Sequence, residues 1–184
     1  MKNQHVSPNT GRTTLKNIRV LTCTALLTAV SFVLALLAKS IFATGPIRIT
    51  LENLPIIFGS ILFGPVIGMV IAVGADLLSC FQSAMTPNLI VMIGAALIGL
   101  LSGILYRYVF VKQKDGLRLF LTVFLSHILG SMIVKSFGLY LYFGWAVLYR
   151  IPIYIGISIV ESLLLRYLTG SQSLMRQIGK VTKS

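Results

Sequence analysis

The sequence predicts an all-α integral membrane protein with six transmembrane helices, both termini cytoplasmic and a short second helix. Three observations predict it. Of 184 residues, 56% are hydrophobic, and mean hydropathy is +0.91. Only 11% are charged, where an average soluble domain carries roughly a quarter. Several apolar runs approach the ~20 residues that a helix needs to cross a bilayer.

The first span is expected at Val20–Ala38, behind Lys2, Arg12, Lys16 and Arg19. It is too long for the apolar core of a signal peptide and lacks a small-x-small cleavage site before a polar mature region, so it reads as retained. Leu54–Phe63 follows and is short for a crossing at ~1.5 Å per residue. It needs Leu51 to Asn53 as an extra turn, or shielding by neighbouring protein. Asn53 suits a helix cap there, with Pro55 in the first turn.

Val66–Phe81 is the third span, with Gly64, Gly68, Ala72 and Asp76 at four-residue steps. Such a small-residue ridge lets helices approach closely, and Asp76 in that seam is read mainly as structural. Leu89–Tyr106 repeats the device with Ala95, Gly99 and Gly103. Leu117–Val134 and Leu148–Leu165 complete the six. The chain divides into an N-terminal tail (1–18), a six-helix membrane domain (19–169) and a basic C-terminal tail (170–184). Cys23 and Cys80 fall near opposite ends of their spans, which argues against a disulfide.

A net charge of +12 raises nucleic-acid binding, but the placement of the charge argues otherwise. Basic residues cluster before the first span, around Arg107, Lys112, Lys114 and Arg118, and at Arg166, Arg176, Lys180 and Lys183. Placing all three clusters in the cytoplasm satisfies the positive-inside rule and requires an even number of crossings between them.

The opposite face then collects polar and aromatic residues. Lys39, Arg48 and Glu52 fall in its first loop. Gln82, Ser83, Thr86 and Asn88 fall in the second. Lys135, Tyr140, Tyr142, Trp145, Tyr149 and Arg150 surround the third. Snorkelling and an aromatic belt account for such residues singly; together, cations and amphipathic aromatics suit a flat anionic organic ligand. On the sixth span Arg150, Tyr154, Ser158 and Glu161 share one sector, with Glu161 about 16 Å below Arg150 by helical rise. An ionisable group at that depth is a functional candidate, and a structural hydrogen bond to another helix is its alternative. His127, Ser131 and Lys135 form a stripe on the fifth span, with His127 read as a packing or hydrogen-bonding residue.

Missing motifs narrow the function. There is no G-x-x-x-x-G-K-[ST] phosphate loop, so the chain does not energise transport with ATP by itself. There is no His/Cys/acid cluster with metal spacing and no G-x-S-x-G elbow. With four acids and two histidines, acid–base chemistry has few candidates. The expectation is a binding protein, not an enzyme, with no cofactor and with its energy supplied by a partner.

The string LENLPIIFGSILFGPVIGMVIAVGADLLSC, Leu51 to Cys80, resembles the second and third helices of the S components of energy-coupling factor (ECF) vitamin transporters. The shared features are N-L-P-I-I, the L-F-G-P turn at Leu62 to Pro65 and the helix ending in A-D-L-L. In the first span, Ala25 and Ala29 resemble the A-x-x-x-A patch by which S components dock on the T subunit. IRITLENLPIIFGSILFGP together with YRIPIYI is most similar to the folate family.

This resemblance implies a multi-pass subunit of the bacterial cytoplasmic membrane that binds a vitamin from outside with high affinity. The vitamin then passes to a T subunit and two ATPases, which use the ATP. It implies a cavity at the outer ends of the fourth to sixth helices, capped by the first outer loop. The expected ligand contacts are Arg48, Glu52, Asn88, Lys135, Tyr142, Trp145, Tyr149, Arg150, Tyr154 and Glu161. Cations would meet folate carboxylates, aromatics would stack on its rings, and Glu161 would accept from pterin N–H groups. Two alternatives stand beside folate: another vitamin or precursor, such as pantothenate, riboflavin or a thiamine precursor, and a ligand-free membrane scaffold.

Overall fold

Asn17 opens the first helix: its Oδ1 accepts the Arg19 backbone N–H at 3.0 Å, satisfying one of the donors that a helix start leaves unpaired. The computed structural model describes residues 17–42, 50–82, 88–172 and 176, and among them it forms six helical rods. The first, α1 (Ile18–Phe42), exposes Leu21, Leu26, Val30, Val33 and Leu37. This is the outward apolar face that a lipid-bathed helix presents.

α2 (Asn53–Phe63) and α3 (Pro65–Gln82) form an antiparallel hairpin about Gly64. Gly64 has φ +112°, a conformation open to glycine without strain, and Pro65 takes the first position of α3, where its missing N–H costs nothing. α2 spans roughly 16 Å at 1.5 Å per residue, about half a hydrocarbon core. Nine of its eleven residues are buried, so neighbouring helices shield it from lipid. Its N-cap position is Glu52, which makes no side-chain cap bond. The expected Asn53 cap is therefore corrected: the Asn53 side chain turns inward and is fully buried.

α4 (Leu89–Ile104) continues as a π-helix over Leu105–Val109. The fifth rod is longer than the sequence reading, because α5 (Asp115–Ser126), a π-helical stretch His127–Lys135 and α6 (Ser136–Phe143) run on without a break. Gly144, at φ +56°, ends it. A 3-10 turn, Gly144–Tyr149, then leads into α7 (Arg150–Gly170). Four stretches are long and apolar enough to span a membrane: Ile18–Ser40, Leu89–Val109, Asp115–Leu141 and Gly144–Gly170.

The two small-residue ridges pack against each other. A Cβ built on Gly68 would lie 2.7 Å from the Gly99 carbonyl oxygen, and one on Gly99 would lie 2.7 Å from Met69 N. Ser60 Oγ donates to the same Gly99 carbonyl at 2.5 Å, locking α2 onto α4.

Basic side chains bind one end of the bundle together. Arg107 Nη2 donates to the carbonyls of Ile61 (3.2 Å) and Leu62 (2.8 Å), the unpaired last turn of α2. Arg118 donates to the Tyr106 carbonyl and lies over the Tyr106 ring at 3.8 Å. Arg166 packs beside Gly116. At the opposite end Lys39 Nζ reaches the Ser79 carbonyl at 3.2 Å, placing a cation at the negative end of α3.

Candidate functional site

The bundle interior is apolar in two clusters. One holds Val20, Ile56, Phe63, Ile67, Ile71, Ala72 and Ala95. The other holds Ile57, Phe58, Ile61, Ile98, Leu119, Val123 and Leu165. Against that background a line of buried charge stands out.

It begins at Lys135, 5% exposed, whose Nζ lies 3.5 Å from Glu52 Oε1. This pair joins the fifth rod to the segment entering α2. Asp76, Tyr154 and Arg150 also lie within electrostatic range of the Lys135 ammonium. Arg150, at the start of α7, is 4% exposed and donates from Nη2 to the Tyr154 hydroxyl at 2.8 Å. The Tyr154 ring lies 5.9 Å from that of His127. His127 Nε2 then meets Glu161 Oε2 at 2.6 Å, and its Nδ1 faces Ser131 Oγ at 3.3 Å. His127, Ser131, Ser158 and Glu161 are all 0% exposed.

The four-residue spacing on α7 produces one half of this line, and the His127–Ser131–Lys135 stripe produces the other. The second stripe lies wholly within a π-helical stretch, a wide turn that recurs at functional sites.

Several polar atoms on this line lack a partner among the described residues: Nε and Nη1 of Arg150, and Oε1 of Glu161. Asn53 lacks one at both Nδ2 and Oδ1, as do the hydroxyls of Thr122 and Ser126. A buried polar group without a partner costs about 1–3 kcal/mol, and in a bilayer interior there is no bulk water to supply one. The arrangement holds hydrogen-bonding capacity that the described residues do not use.

The sequence-predicted site residues divide into three groups. Glu52, Lys135, Arg150, Tyr154 and Glu161 are brought together. Asn88 caps α4 instead, and its carboxamide is occupied: Oδ1 accepts from Ile90 N (3.0 Å) and Val91 N (3.3 Å), and Nδ2 donates to the Gly138 carbonyl (3.1 Å). Trp145 and Tyr149 point away from the interior, 73% and 69% exposed, with Trp145 edge-on to Tyr140 at 5.6 Å. Arg48 and the Tyr142 side chain lie outside the described residues.

His127 has a larger part than its sequence reading gave it, because its partner Glu161 is 34 residues away. A cleft lined by Ser31, Glu52, Asp76, Ser79 and Lys135 flanks the line on the α1–α3 side. Its volume of 10 Å³ admits about one water molecule.

Fold and site together define a polytopic membrane protein that keeps a line of buried charged and polar side chains inside an apolar bundle. The family model for the substrate-specific component of ECF transporters matches residues 19–176, and the chain belongs to that family. It is thus an integral membrane subunit of an ECF importer, the one that selects the substrate, and membership implies association with the T and ATPase subunits. No curated protein matches the chain.

Proposed function

We propose that this subunit captures folate from outside the bacterial cytoplasmic membrane with high affinity and passes it to a T subunit driven by two ATPases. One observation carries the reading: two cations, Lys135 and Arg150, and the carboxylate Glu161 are buried in one line through an apolar bundle. Arg150 keeps Nε and Nη1 for a guest, and Glu161 keeps Oε1.

A carboxylate at one end of the ligand suits the guanidinium fork. Ring N–H groups at the other end suit the free carboxylate oxygen. Arg150 and Glu161 are eleven residues apart on one helix, about 16 Å by rise, which matches an elongated molecule with such ends. Tyr154 supplies an aromatic surface between them. In this reading Arg48, Glu52, Tyr142, Trp145 and Tyr149 serve the entrance, and Asn88 holds the outer start of α4.

Ala25 and Ala29 are exposed on α1 and form the face offered to the T subunit. ATP is consumed by the partners, and this chain works without a cofactor of its own.

The test is a titration of the detergent-purified chain followed by its single tryptophan, Trp145. Saturable quenching by folate is expected. A chain that answers to a different vitamin and ignores folate removes the folate assignment and leaves the family membership intact.

A further inference from the structure

Three of the residues with unpartnered polar atoms, Asn53, Ser126 and Glu161, stand on helices that share one apolar cluster. On α2, Asn53, Ile57 and Ile61 follow at four-residue steps and so share one stripe. On α7, Glu161 stands four residues before Leu165. On the fifth rod, His127 stands four residues after Val123, and Ser126 seven after Leu119. Ile57, Ile61, Leu119, Val123 and Leu165 belong to one apolar cluster. The Lys135–Glu52 contact joins the far end of the fifth rod to the start of α2, so α5 runs opposite to α2, while α7 descends from Arg150. Each polar residue therefore lies one or two turns from that cluster, on the Arg150 and Lys135 side. The 2.6 Å His127–Glu161 contact fixes two of the four at one level.

Asn53, Ser126, His127 and Glu161 are each 0% exposed. Asn53 Nδ2 and Oδ1, Ser126 Oγ and Glu161 Oε1 have no hydrogen-bond partner among the described residues. Apolar side chains would fill the same positions without that cost, as the cluster beneath them does.

We propose that Asn53, Ser126 and Oε1 of Glu161 form the floor of the substrate site and read the edge of a flat nitrogen heterocycle. The carboxamide of Asn53 offers one donor group and one acceptor side by side, and the carboxylate oxygen accepts only. The complementary edge is a cyclic amide or amidine, with an acceptor and N–H donors in sequence. The apolar cluster beneath sets the depth of the ring. Asn53 is thus a specificity-determining residue contributed by the short helix, whose lack of a full crossing leaves its first residue inside the bundle. This rests on the reading of the chain as a vitamin-capturing subunit, but not on folate being the vitamin.

The experiment titrates the full-length wild-type chain and Asn53→Ala with folate, riboflavin, thiamine and pantothenate, and with p-aminobenzoyl-glutamate, which lacks the pterin ring. Asn53→Ala is expected to weaken the heterocyclic vitamin that binds by about 10-fold or more, the effect of losing one or two buried hydrogen bonds. For folate, p-aminobenzoyl-glutamate affinity is expected to stay unchanged, a selectivity that a merely structural role does not produce. Should Asn53→Ala fail to fold, Ser126→Ala removes a single oxygen and is expected to act in the same direction.

Folate binding with unchanged affinity in a folded variant overturns the floor and leaves the folate reading standing. Riboflavin or thiamine binding that depends on Asn53 supports the floor and ends the folate reading. A wild-type chain that takes only pantothenate, or none of these, overturns the floor.

Discussion

His127 and Glu161, on different helices and both without solvent exposure, meet at 2.6 Å through Nε2 and Oε2. Removing one partner of such a buried pair leaves the other polar group stranded, at a cost of about 3–5 kcal/mol. Glu161→Ala and His127→Ala are each expected to lower thermal stability strongly. The double variant is expected to lose clearly less than the sum of the two, the signature of direct coupling. Thermal unfolding in one detergent measures all four corners, and strict additivity would show that the contact carries no coupling.

Lys135 and Glu52 form a looser pair, 3.5 Å apart with Glu52 18% exposed at its side chain. An anionic ligand that pairs with Lys135 must displace Glu52 from it. Lys135→Ala is expected to weaken folate about 10-fold, the equivalent of ~1.4 kcal/mol. Glu52→Gln is expected to leave affinity equal or tighter. Titration of both variants checks the order, and a Glu52→Gln variant that binds worse than Lys135→Ala reverses it.

Arg107 has a different job, holding the last carbonyls of α2. Arg107→Ala is expected to cost ~1.5–3 kcal/mol, the range for hydrogen bonds to a charged group, without changing ligand affinity. Denaturation and titration of the same sample separate the two effects.

Ala25 and Ala29 lie on an exposed face of α1. Replacing both with tryptophan is expected to leave folding and vitamin binding intact while preventing co-purification with the T subunit. Small-residue faces support close helix approach, which bulky rings block. Undiminished co-purification would place the docking surface elsewhere.

Much of this was legible from residue type and spacing. The apolar runs located six rods, the glycine ridges marked α3 and α4 as closely packed helices, and the Arg150–Tyr154–Glu161 sector located one half of the charged line. Three features were not legible, each for a physical reason. The partner of His127 is 34 residues distant, and no local pattern encodes a tertiary pair. Asn53 two residues before Pro55 is good capping chemistry, yet burial inside the bundle overrode that local preference. The fifth rod was cut short at Val134 because the apolar run breaks at Lys135, a residue the bundle buries against Glu52. A stripe reading of Asn53, Ile57 and Ile61 is the one signal that pointed inward.

Native mass spectrometry of the detergent-purified chain, beside the Arg150→Ala variant, tests the central claim most directly. The account predicts that the wild-type chain carries one small carboxylated heterocyclic molecule and that the variant loses it. A wild-type chain with no such molecule after growth in folate-rich medium, or an Arg150→Ala variant with undiminished occupancy, would contradict it.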